Sequence, residues 1–110
     1  MIMLNLAQNA LKAMPSGGDL YISATKDKNN VIIEIKDTGI GIEREKLGHI
    51  FEPFYSDGTT SRHKGTGLGL AIVKSLIDKH KGTISVSSEV KKGTSFIIKF
   101  PKNKKKNLQI

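Results

Sequence analysis

Twice along the chain a helical spacing of apolar residues gives way to a pair of alternating runs, and that switch of period limits the folds open to it. Leu4, Ala7, Leu11 and Met14 lie three or four apart and predict a helix over residues 2–14. Pro15-Ser16-Gly17-Gly18 ends it. "LYISAT" then alternates Leu20, Ile22 and Ala24, and "NVIIEIKD" alternates Val31, Ile33 and Ile35, with Asn29-Asn30 as the turn of a hairpin that ends at Asp37. Helical spacing returns at Leu68, Ile72, Val73, Leu76 and Ile77, followed by two strands, "TISVSS" and "TSFIIKF", separated by "EVKKG". Residues 43–66 between the halves are polar and glycine-bearing, with one short helical piece in "EREKLGHIF". A stretch of that length in a small domain is expected to be a lid or a disordered segment. No internal repeat is present. The expected fold is α+β, with helices on one face of a mixed, largely antiparallel sheet.

The chain has 110 residues, the size of one domain that buries roughly 60–70% of its unfolded surface. Its net charge of +8 owes four lysines to residues 102–110, which are expected to form a basic, disordered tail. Without them 14 basic face 10 acidic residues, a net of +4. Mild basicity suits a nucleotide and does not by itself indicate nucleic acid. No aromatic residues interleave with the basic ones, so a single-strand stacking platform is not expected. The absence of cysteine excludes disulfides, thiolate zinc sites and cysteine nucleophiles, and fits a reducing compartment. No apolar run approaches the ~18 residues of a membrane span.

Two glycine clusters and one pair of amides stand out. "KGTGLGLAIVKSLIDKHKG" places Gly65, Gly67 and Gly69 at alternate positions ahead of a helix, where backbone N–H groups could cradle an anion such as phosphate. It matches neither the dinucleotide fingerprint nor a P-loop, and a glycine-rich hinge is the alternative. "DTGIGI" puts Asp37 at a strand end ahead of two glycines, either to hold a planar ligand or to start a turn. Asn5 and Asn9 lie four apart on one helix face, within the apolar stripe, where a polar group needs a partner. They read as core amides or as a site, with Lys12 on the same face as a site cation or a solvated lysine.

In order, "LNLAQNALKAM", "DTGIGI", "FEPFYS", "GTGLGL" and "GTSFIIKFP" strongly resemble the catalytic ATP-binding domain of bacterial sensor histidine kinases. That domain belongs to the superfamily shared with gyrase, MutL and the ninety-kilodalton heat-shock chaperone. The resemblance covers residues 2 to about 101, and "NALKAMPSGGDL" looks most like the sporulation and nitrogen-regulation kinases. It implies a two-layer α/β sandwich and a cytoplasmic catalytic domain that binds ATP and Mg²⁺. Asn9 would bind the ion through its amide oxygen, a hard ligand suited to it. Asn5 would line the phosphate site and Lys12 would neutralise phosphate charge, the two being the implied catalytic residues. Asp37 would accept from the exocyclic amine of adenine, favouring ATP over GTP, and Gly39 and Gly41 would leave room for the base. Ile42, Lys64, Gly65, Thr66, Gly67, Leu68, Gly69, Leu70 and Thr94 complete the implied nucleotide contacts. Phe51, Pro53, Phe54 and Tyr55 form an aromatic box at the base of the lid, as core anchors or partner contacts.

The same resemblance bears on the reaction and on partners. ATP hydrolysers and serine kinases of the superfamily carry a glutamate at position 5 as general base, a role that an asparagine cannot fill. A histidine acceptor needs less help, since neutral imidazole is a nucleophile near pH 7. The implied activity is transfer of the γ-phosphate to a histidine on a separate dimerisation domain of a homodimeric parent, with a response regulator downstream and no nucleic-acid or membrane contact by this piece; the alternatives are a non-catalytic nucleotide-binding or interaction module, or an ATPase or serine kinase of the same fold. Ala13 stands where many relatives carry an aromatic residue that stacks on adenine. A strand, further helical residues and the two-helix module would precede "LNLAQNA", so the chain is expected to be an N-terminally truncated fragment. His49, His63 and His80 fall outside any such module.

Overall fold

The computed structural model describes residues 2–53 and 69–102. Helix α1 (Ile2–Lys12) is followed by strands β1 (Leu20–Lys26) and β2 (Asn30–Asp37), a one-turn helix α2 (Arg44–Leu47), helix α3 (Gly69–Lys79), and strands β3 (Thr83–Glu89) and β4 (Gly93–Pro101). Of the stretch expected to be a lid or disordered, residues 54–66, with Phe54 and Tyr55, lie outside the described residues, as does the tail from residue 103, whereas residues 43–53 are described and carry α2. The two long helices and four strands are found within about two residues of their anticipated bounds, and the short helical piece in "EREKLGHIF" is the single turn Arg44–Leu47.

The four strands form one sheet in the order β1-β2-β4-β3, with every pairing antiparallel. Local chemistry closes the first hairpin and ends the second long helix. Between β1 and β2 the Asp27 carboxylate accepts from the backbone N–H groups of Asn29 and Asn30 at 2.8 and 2.7 Å. Those two bonds, that of Asn29 first, hold the Asp27 carboxyl below its ordinary pKa. At the end of α3, Lys81 takes a left-handed conformation (φ 62°) and the Gly82 N–H reaches back to the Ile77 carbonyl at 2.8 Å. This is the two-residue cap that stops a helix and redirects the chain into a strand.

Both long helices cover the same sheet face, α1 over β2 and α3 over β3. Between the layers lie Ile2 and Leu6 of α1, Val73 and Ile77 of α3, Ile33 and Ile35 of β2, and Phe96, Ile98 and Phe100 of β4. The buried stripe of α1 is thus Ile2–Leu6–Ala10, closed off by Met14, and differs from the expected one. Leu4 and Leu11 are 56% and 62% exposed. Apolar side chains occupy more than one side of α1, and the position of α3 decides which side is buried. Ile22 shares the helix-facing side of the sheet with Ile35 across the register, yet it too is exposed. It stands on the edge strand, beyond the strip of sheet that the helices cover.

Candidate functional site

The site forms where the C-terminal end of β2 meets the start of β4. Asp37 and Thr94 are register partners, both pointing to the helix side, and both are buried although polar (4% and 5% exposed). The carboxylate Oδ1 accepts the Gly39 N–H at 2.8 Å and the Thr94 N–H at 3.3 Å. The first of these makes the aspartate-started turn that the sequence allowed. It does not exhaust the side chain, because Oδ2 has no partner among the described residues. A buried carboxylate with one oxygen locked to the backbone and the other uncommitted is a preorganised acceptor.

The loop after Asp37 is held on three sides. The Ile40 N–H donates to the carbonyl of Ala13, just past α1, at 2.9 Å. The Lys91 N–H of the β3–β4 turn donates to the Ile40 carbonyl at 2.7 Å, and the Ile42 N–H donates to Ser88 Oγ at 2.8 Å. The two glycines of "DTGIGI" make this docking possible. A Cβ on Gly39 would sit 2.4 Å from the Ala13 carbonyl oxygen, and one on Gly41 would sit 2.2 Å from that of Glu89. The space expected to be left for a base is therefore taken at these two positions by the protein's own backbone. What the glycines permit is a close approach that fixes the loop beside Asp37.

Asn5 and Asn9 project from the flank of α1 that faces α3. Their Nδ2 atoms are buried and have no hydrogen-bond partner among the described residues. The position a Cβ would take on Gly69 lies 3.7 Å from Asn5 Oδ1, which brings the first residue of α3 beside the amides. The Asn5 amide and the first residue of α3 thus lie together. Lys12 is exposed, in the last turn of α1. Leu70 packs on the core. Lys64, Gly65, Thr66, Gly67 and Leu68 lie outside the described residues. Of the aromatic box, Phe51 sits edge-to-face on Phe96 with ring centres 6.3 Å apart, which makes it a core anchor. His80 meets Phe100 in the same way, and His49 bonds Glu52 at 2.8 Å, so neither belongs to the site. Sequence reasoning missed Ser88, whose partner Ile42 is 46 positions away and leaves no local signal.

Residues 1–104 match the model of the family described as histidine kinase-, DNA gyrase B-, and HSP90-like ATPase. The chain belongs to this family. Within it, the chain is 44% identical over 101 residues to sporulation kinase A of Bacillus subtilis, covering 92% of this chain and 16% of that protein. It is 45% identical over 103 residues to the sensor protein SrrB of Staphylococcus aureus, covering 92% of this chain and 18% of that protein. The chain therefore spans less than a fifth of the length of these relatives. Among solved structures, the mycobacterial sensor histidine kinase MprB superposes with a TM-score of 0.81 at 32% identity, over 91% of this chain and 69% of that one. Full-length ShkA, solved in complex with AMPPNP, superposes with a TM-score of 0.80 at 33% identity, over 91% of this chain and 20% of that one. These solved neighbours are histidine kinases, and the α+β architecture they share, helices on one face of an antiparallel sheet, is the one the motif resemblance implied.

Proposed function

We propose that the chain is the ATP-binding catalytic domain of a two-component sensor histidine kinase, which transfers the γ-phosphate of Mg-ATP to a histidine on a separate dimerisation domain. The observation that carries this reading is Asp37, a buried carboxylate with one oxygen fixed by two backbone N–H groups and the other left for a donor. Such an acceptor suits the exocyclic amine of adenine and repels the carbonyl of guanine. The ATP-analogue complex of the similar ShkA supports an adenine nucleotide as the ligand.

At the other end of the cleft, Asn5 and the residues leading into α3 (Lys64, Gly65, Thr66, Gly67, Leu68, Gly69 and Leu70) would face the phosphates, with Gly39, Gly41 and Ile42 holding the loop at the base. The buried, unpartnered amide nitrogens are donors that suit phosphate oxygens, and the amide oxygens are neutral hard ligands of the kind a divalent cation takes. Asn9 would hold Mg²⁺, with Asn5 beside it. The ion would supply charge neutralisation between phosphate oxygens. Lys12, at the exposed end of the same face, would offset further phosphate charge while staying free to move. Asn5 cannot act as general base, and none is needed when a neutral imidazole nitrogen attacks phosphorus and ADP leaves. Catalysis by this chain then consists of positioning and electrostatics. Its partners would be that histidine-bearing domain in a homodimeric parent and a response regulator, and it would work in the cytoplasm. Among the described residues no helix is long and apolar enough to cross a membrane.

The test is γ-labelled ATP supplied with and without a two-helix domain bearing the acceptor histidine. Acid-labile label on that domain, lost when its histidine is replaced, is expected. Label on the chain itself, surviving that replacement, would overturn the proposal.

A further inference from the structure

Ser88, half-buried next to the last residue of β3, makes three polar contacts from one oxygen. Its Oγ lies 2.8 Å from the Ile42 backbone nitrogen, 3.0 Å from the Gly93 carbonyl oxygen and 2.8 Å from Thr94 Oγ1. A serine hydroxyl has one proton and two lone pairs. The Ile42 N–H can only donate, and the Gly93 carbonyl can only accept. Ser88 therefore gives its proton to Gly93, and its two lone pairs take the Ile42 N–H and the hydroxyl of Thr94. That assignment fills all three positions and commits the single proton of Thr94 to Ser88.

We infer that Ser88 sets the donor–acceptor character of the base-binding end of the site, by holding Thr94 as an acceptor beside the Asp37 carboxylate. The inference rests on the reading of Asp37 and Thr94 as the adenine end. Two neighbouring acceptors match an exocyclic amine with its two N–H groups, and both oppose a carbonyl edge. A Thr94 hydroxyl free to rotate would offer its proton to that carbonyl and weaken the choice. The same serine ties the loop after Asp37 to the β3–β4 hairpin through Ile42, so base recognition and loop position share one anchor. Ser88 is thus a positioning residue that acts through Thr94 and Ile42 without touching the ligand.

The experiment titrates the full chain and its Ser88→Ala and Ser88→Thr variants with Mg-ATP and Mg-ITP, which carries a carbonyl in place of the amine. Ser88→Ala is expected to narrow the ATP-to-ITP affinity ratio about tenfold, the scale of one hydrogen bond, and Ser88→Thr to restore it. An equal loss for both nucleotides, as a merely structural serine would give, or an unchanged ratio overturns the inference. If Ser88→Ala fails to fold, Thr94→Val carries the same test, with the same narrowing expected and an equal loss again contrary. A wild-type chain that binds neither nucleotide would defeat the adenine-site reading itself, whereas selective wild-type binding with an unaltered variant ratio defeats only the role of Ser88.

Discussion

Replacing Asp37 by asparagine separates recognition from folding, because the two carboxylate oxygens do different work. Oδ1 accepts from the Gly39 and Thr94 N–H groups, and an asparagine amide oxygen can take over both bonds with the same geometry. The second oxygen becomes an NH₂, so a donor stands where an acceptor stood. Unfolding free energy should change by less than about 1 kcal/mol, since both bonds that the carboxylate makes to the protein among the described residues are kept. The ligand loses a hydrogen bond to a charged group, worth about 1.5–3 kcal/mol, and affinity for ATP should fall about 10- to 150-fold. The fall for ITP should be smaller, because its carbonyl gains a donor. Calorimetric titration with both nucleotides, beside a urea melt of each protein, reads all three quantities. Unchanged ATP affinity would refute the adenine assignment. A large loss of stability with parallel losses of both nucleotides would make Asp37 a structural turn residue only.

Other substitutions probe the remaining parts of the site and fold. Asn9→Ala should weaken Mg-ATP far more than metal-free ADP in the same titration, and equal losses would return Asn9 to the status of a core amide. Gly93 has a φ of 124°, and a Cβ there would lie 2.0 Å from the Asp37 carbonyl oxygen. Gly93→Ala should therefore cost about 1–3 kcal/mol or more in a urea melt, with nucleotide binding lost alongside. Asp27 has a lowered pKa in the folded chain, so its contribution is present above the unfolded value and is lost as pH falls through the folded one, below about pH 4. Asp27→Ala should lower the melting temperature at neutral pH and flatten the acid limb of the melting curve in that window; an unaltered limb would contradict the turn's role.

Much of the fold could be read from the sequence because local signals agreed with one another. Asn29-Asn30 closed one hairpin where alternation required it, and Pro15 to Gly18 ended α1 near its anticipated place. Facing was harder. Leu4 and Leu11 obey the same helical spacing as Ile2, Leu6 and Ala10, and only the packing of α3 against α1 decides between the two stripes. Ile22 alternates as a buried residue should, yet the edge position of β1 leaves it in solvent. Of the candidate site, Asn5 and Asn9 were visible as amides within an apolar stripe, and Asp37 as a carboxylate at a strand end ahead of two glycines. Ser88 was not, since its meaning lies in its contact with a loop 46 residues distant. The purpose of Gly39 and Gly41 was hidden for a similar reason, as the atoms that require them belong to Ala13 and Glu89.

The account turns on a preorganised acceptor at Asp37 that selects adenine. A calorimetric titration of the chain with Mg-ATP and, separately, Mg-GTP tests it most directly. One saturable site for ATP is expected, with GTP weaker by at least about tenfold, the cost of setting a carbonyl against a buried carboxylate. No heat with ATP, or equal affinity for the two nucleotides, would contradict it.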